Sequence, residues 1–194
     1  QREFPGIYWS FEGEKSEQAE TLDSLGYLYV IALIIIYALL AIPFNSYIQP
    51  LIVMAAIPFG LIGAVWGHVV MGMDVTILSG FGVVALTGVV VNDSLVMVDY
   101  VNRKRSTGLS DMESARQAGF SRFRPILLTS LTTFAGLTPL LLEKSLQAKF
   151  LVPMAVSLGF GVIFATVITL ILVPAMYLIL EDIRTFFYGP EDKL

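Results

Sequence analysis

The run SLGYLYVIALIIIYALLAIPFNSYIQPLIVMAAIPFGLIGAVWGHVVMGM, residues 24–73, holds no Asp, Glu, Lys or Arg over 50 consecutive positions. A helix rises about 1.5 Å per residue, so crossing a hydrocarbon core of ~30 Å takes about 20 residues. The run is too long for one crossing and suits two. It breaks at Pro43-Phe44-Asn45-Ser46-Tyr47-Ile48-Gln49-Pro50, where polar residues and two prolines interrupt the apolar pattern. Helices are therefore expected at about 25–44 and 48–70.

Working outward, uncharged stretches recur at 75–92 and 125–142, 18 residues each, and at 150–180, 31 residues. They predict further membrane helices at about 75–101, 125–142 and 150–180, the fourth opening on Pro125, a residue suited to a first helical position. The chain thus reads as an all-α integral membrane bundle of five transmembrane helices. Residues 1–24 read as a short strand and an acidic helical lead-in. A lone strand does not bury its edge, so it is expected to complete a periplasmic domain lying upstream. The 102–124 stretch is expected as a cytoplasmic loop with a short surface helix over Asp111–Gly119, and 183–194 as a cytoplasmic tail. No signal peptide opens the chain, and the absence of an initial Met suggests a piece of a longer protein.

Composition agrees: 56% of the 194 residues are hydrophobic and 14% charged, against about 25% charged in soluble domains. A net charge of -4 argues against nucleic-acid binding. With no cysteine and a single histidine, His68, neither a metal site nor a catalytic triad is expected. Of twelve Lys and Arg, six lie in 102–124 (Arg103, Lys104, Arg105, Arg116, Arg122 and Arg124), and Arg184 and Lys193 share their side. This bias puts that loop and the C-terminus in the cytoplasm and the N-terminus outside.

Ionisable groups inside the membrane are expensive and point to function. The third expected helix carries Asn92-Asp93-Ser94, with Asp93 about two-thirds of the way along, and then Asp99. A carboxylate so placed should pair, line a wet cavity or carry a proton, because desolvation penalises its charged form. The plainer alternative is a hydrogen-bonded link between helices. Asp99 lies one turn from Arg103 and suits an interfacial ion pair. Asn92 and Asp99 fall on nearly one face, Ser94 on that of Thr87. On the fourth helix, Thr129, Thr132, Thr133 and Gly136 form a stripe that suits either a carboxylate's partners or bonds to its own helix carbonyls. Gly60, Gly63 and Gly67 permit close helix approach, and Pro58 and Pro174 imply kinks. His68, near a helix end, reads as interfacial.

Several stretches together resemble the resistance–nodulation–division efflux transporters, in their hydrophobe/amphiphile branch. They are Ala41-Ile42-Pro43-Phe44-Asn45-Ser46-Tyr47, Ile57-Pro58-Phe59-Gly60-Leu61-Ile62-Gly63-Ala64, Gly88-Val89-Val90-Val91-Asn92-Asp93-Ser94 and Arg122-Phe123-Arg124-Pro125-Ile126-Leu127-Leu128-Thr129-Ser130. The resemblance implies the C-terminal end of a trimeric, twelve-helix pump, its eighth to twelfth helices, in the inner membrane of a Gram-negative bacterium. It further implies exchange of protons for hydrophobic or amphiphilic compounds, with a periplasmic adaptor and an outer-membrane channel as partners. No cofactor is implied; the proton gradient is the energy source. The family couples protons through two aspartates on its fourth helix and a lysine on its tenth. That lysine position falls on Asn92, a departure that gives the adjacent Asp93 part of the relay, with Asn92 and Thr129 as polar partners. Asp99, Ser94, Thr132 and Arg122 are secondary candidates, Thr129 and Arg122 matching the family's threonine and cytoplasmic-side arginine.

Other classes fit less well. An intramembrane aspartyl protease needs two carboxylates in one site, whereas Asp93 and Asp99 lie about 240° apart around one helix. A serine protease would need His68 and Ser94 in a nucleophile-elbow context that is lacking. The remaining alternative is a structural bundle that works only in assembly with other parts.

Overall fold

The computed structural model describes residues 13–145 and 147–188. The described residues form helices joined by short links, with no strand among them. The helices are α1 (Glu14–Phe44), α2 (Gln49–Met54), α3 (Ile57–Met71), α4 (Ile77–Arg105), α5 (Asp111–Leu141) and α6 (Val152–Tyr188), with one turn of 3₁₀ helix at Ala148–Phe150. The strand expected before Gly13 lies outside the described residues.

Four stretches are long and apolar enough to cross a membrane: 17–44, α2 with α3, α4, and 152–183 of α6. The apolar half of α5 is diluted by four threonines, a serine and two prolines between Pro125 and Leu141. It crosses the same bundle nonetheless, packed on α4 and α6. The fold is an all-α membrane bundle.

The helix bounds depart from expectation where polar groups find partners. The stretch expected as one helix over 48–70 is broken at Ala55–Ala56, and Pro58 stands in the first turn of α3, where its missing N–H costs least. The loop expected over 102–124 is largely helix. Ser110 caps α5 by accepting from the Glu113 N–H, and Asp111 and Glu113 sit in its first turn, favourable to the helix dipole. Ser114, Ala115 and Ala118 bury the inner face of these turns. Helix five therefore starts fourteen residues before Pro125, and only Ser106–Ser110 remains as loop. At the α4 start, Thr76 and Ser79 form a reciprocal capping box.

Close approach between α3 and α6 fixes the bundle's centre. A Cβ on Gly63 would lie 2.5 Å from the Phe164 Cβ and 2.9 Å from the Phe160 carbonyl oxygen; one on Gly67 would meet the Phe160 ring. Ala56, Ala64, Leu86, Val90, Val162 and Ala165 pack around this contact. A second cluster toward the α4 C-terminus joins Ile52, Val53, Met97, Val98, Val101, Val173 and Tyr177. By contrast, α1 leaves Tyr27, Leu28, Ile34, Ile35, Leu39 and Ile42 exposed.

Candidate functional site

Asp93 lies on the inward stripe of α4, Leu86-Val90-Asp93-Met97-Val101, and is 7% exposed. Among the described residues no hydrogen bond or ion pair reaches its carboxyl. Ser94, next in the chain, is fully buried and its Oγ has no hydrogen-bond partner there either. Two polar side chains are thus held in the bundle interior between apolar clusters. Such groups ordinarily find a partner in water or in each other.

The other sequence candidates stand elsewhere. Asn92, about 100° around the helix from Asp93, is exposed. Asp99 pairs with Arg103 at 2.9 Å on the same outward side, the interfacial ion pair expected from their spacing. Thr129 and Thr132 are exposed and donate to carbonyls of their own helix, Pro125 for the first and Leu128 and Thr129 for the second, each at 2.9 Å. No bond therefore joins Asp93 to Asn92 or Thr129. The Arg122 guanidinium lies 4.9 Å from the centre of the Tyr100 ring, and its Nε is buried without a hydrogen-bond partner.

A further polar cluster, unforeseen in sequence, ties the end of α4 to three other elements. Arg105 grips Glu181 of α6 through its two terminal guanidinium nitrogens, at 2.5 and 3.1 Å, and its Nε meets Asp111 of α5. Tyr177 donates to the Asn102 side-chain oxygen Oδ1 at 2.9 Å, and Asn102 Nδ2 donates to Gln49 Oε1 of α2 at 2.8 Å. Glu181 is 7% exposed, so its charge is held almost wholly by Arg105. The pair lies 76 residues apart in sequence. The available signal was the i, i+4 spacing of Tyr177 and Glu181 on a face otherwise apolar.

At the opposite end His68, 2% exposed, bridges α3 and α4. Its Nδ1 lies 2.9 Å from the Ala64 carbonyl oxygen, which only accepts, so Nδ1 carries a proton. Nε2 meets the Ser79 hydroxyl at 2.8 Å, within the α4 cap. His68 stands in the last turn of α3, the helix end expected for it, as a buried link to α4.

This arrangement of helices has counterparts among known proteins. The model of the AcrB/AcrD/AcrF family matches residues 2–181. The chain belongs to that family. It is a segment of a resistance–nodulation–division transporter, a class of membrane efflux protein. The swarming motility protein SwrC of Bacillus subtilis (strain 168) is 32% identical over 182 residues, which cover 93% of this chain and 17% of SwrC. Two crystal forms of a heavy metal efflux pump share 26% identity with it, with TM-scores of 0.79 and 0.77. Each covers 91% of this chain and 18% of the solved one. The family segment thus spans less than a fifth of the length of these relatives.

Proposed function

We propose that this segment is the C-terminal membrane part of a proton-driven efflux pump that exports hydrophobic or amphiphilic compounds. The observation that carries the reading is Asp93, a carboxyl buried mid-span with no cation beside it. Ionisable groups inside a membrane bundle are expensive and commonly mark proton relays. The full pump works as a homotrimer in the inner membrane, with a periplasmic adaptor and an outer-membrane channel, its N-terminal side outside and its basic side in the cytoplasm. The lysine and arginine bias supports that orientation. Asn92 and Thr129 belong to the relay on the faces they present to the rest of the transporter. No cofactor enters; the proton gradient supplies the energy.

A second reading, export of metal ions, is favoured by the likeness to the heavy metal pumps. The full-length transporter in proteoliposomes distinguishes the two. With an imposed pH gradient, export of a lipophilic dye that stops on adding a protonophore supports the amphiphile reading. Export of a divalent or monovalent heavy metal with no dye movement replaces it with the second. Transport of either that ignores the protonophore removes proton coupling.

A further inference from the structure

Helices α4 and α6 run side by side in the same direction, and their contacts fix a register. A Cβ on Gly82 would meet the Ser157 Cβ, and one on Gly161 would meet the Leu86 side chain. Further along, Asn102 bonds Tyr177 and Arg105 bonds Glu181, pairs separated by 75 and 76 residues. The same offset places Thr169 opposite the Asp93-Ser94 step. The α6 stripe that faces α4 is Ser157-Gly161-Ala165-Thr169-Val173-Tyr177-Glu181, one residue per turn, and Thr169 is 1% exposed. Ala165 packs in the cluster with Leu86 and Val90, and Val173 in the one with Met97, Val98 and Val101. Between these two apolar layers, α4 presents Asp93 and Ser94, and α6 presents Thr169.

The hydroxyl of Thr169 makes no hydrogen bond among the described residues, unlike Thr129, Thr132, Thr133 and Thr138, which bond their own helix carbonyls. Three buried polar side chains without partners therefore meet at one level. No Asp, Glu, Lys or Arg occurs in residues 75–92 or 150–180, so no other charge on either helix competes for this level. One turn away, the Ser130 and Thr166 hydroxyls bond each other at 2.5 Å and continue the polar surface toward α5.

We infer that Thr169 is the positioning residue of Asp93: its hydroxyl, with that of Ser94, forms one hydrogen-bonded layer with the carboxyl through a water molecule. A buried polar group left unpartnered is costly, and joining the three removes that cost for each. The inference rests on the proposed proton role of Asp93 only for its consequence in transport, not for the bond itself.

The test uses the full-length transporter in lipid and infrared spectroscopy at acid pH, where the carboxyl carries its proton. The Asp93 C=O stretch is identified as the band lost in Asp93→Asn. Thr169→Val, which keeps shape and removes the hydroxyl, is expected to move that band to higher wavenumber, and Thr169→Ser to return it. Export is expected to fall several-fold in Thr169→Val and to recover in Thr169→Ser. An unmoved band in a Thr169→Val protein that unfolds at the wild-type temperature overturns the inference. If the band moves while Asp93→Asn exports normally, the layer stands and the relay reading fails.

Discussion

Arg105 holds a carboxylate that almost no water reaches, and that fixes what its removal does. In Arg105→Leu the Glu181 charge stays buried without its partner, a change that costs about 3–5 kcal/mol in fully buried pairs. Because the Arg105 side chain is 29% exposed, about 2–3 kcal/mol is expected, read as a lowered unfolding temperature of the transporter in detergent. The double variant Arg105→Leu/Glu181→Leu should recover most of the loss, since only Asp111, which is 38% exposed, then lacks its partner. A double variant no more stable than Arg105→Leu alone would mean that the bonds, not the stranded charge, set the cost. At this scale the sequence revealed Asp93 as an acid in an apolar run. It did not reveal which way Asp93 pointed, since neighbouring residues diverge by about 100° and the facing helix decides which is buried. Arg105 read as one basic residue of a loop because its partner is far along the chain. Thr169 stood in an uncharged helix with nothing to mark it until the register with α4 was known.

Between elements, the α3–α6 contact is one of close backbone approach. Gly63→Ala forces a methyl against the Phe164 Cβ and the Phe160 backbone, neither of which is the free end of a side chain. A loss of about 1–3 kcal/mol is expected, as for other overpacked cores. Gly136→Ala, where an added Cβ meets nothing within 4 Å, should leave the unfolding temperature unchanged. Equal losses at both positions would argue that propensity or insertion, not packing, is responsible. The glycine spacing of α3 was readable as a close-packing signal, but its partner on α6 was not. Pro125 misled because a proline suits the first turn of a helix; here Ser114, Ala115 and Ala118 before it bury a face on the bundle and carry the helix through it. The capping serine at Ser110, followed by Asp111 and Glu113, was the sequence signal for the true start.

For the whole molecule, the apolar runs fixed the helical membrane fold, since a chain without charges for 50 residues has few other places to go. Sidedness rests on the distribution of lysine and arginine, and the cysteine-free chain makes it simple to check. A membrane-impermeant maleimide should label Ser106→Cys only from the cytoplasmic side and Asp74→Cys only from the outer side; the opposite pattern would invert the topology. Neither residue is buried, so labelling needs no opening of the bundle. The polar interior emerges only when the helices are assembled, because it is built from single residues of α4, α5 and α6 that lie far apart in sequence.

The proposal of proton coupling rests on Asp93, and one comparison reaches it most directly: dye export by the full-length transporter under an imposed pH gradient, wild type against Asp93→Asn at matched reconstitution. Loss of gradient-driven export with unchanged assembly and unfolding temperature is expected. Export at the wild-type rate by Asp93→Asn would contradict the assignment and leave Asp93 as a packing residue of the α4–α6 interface.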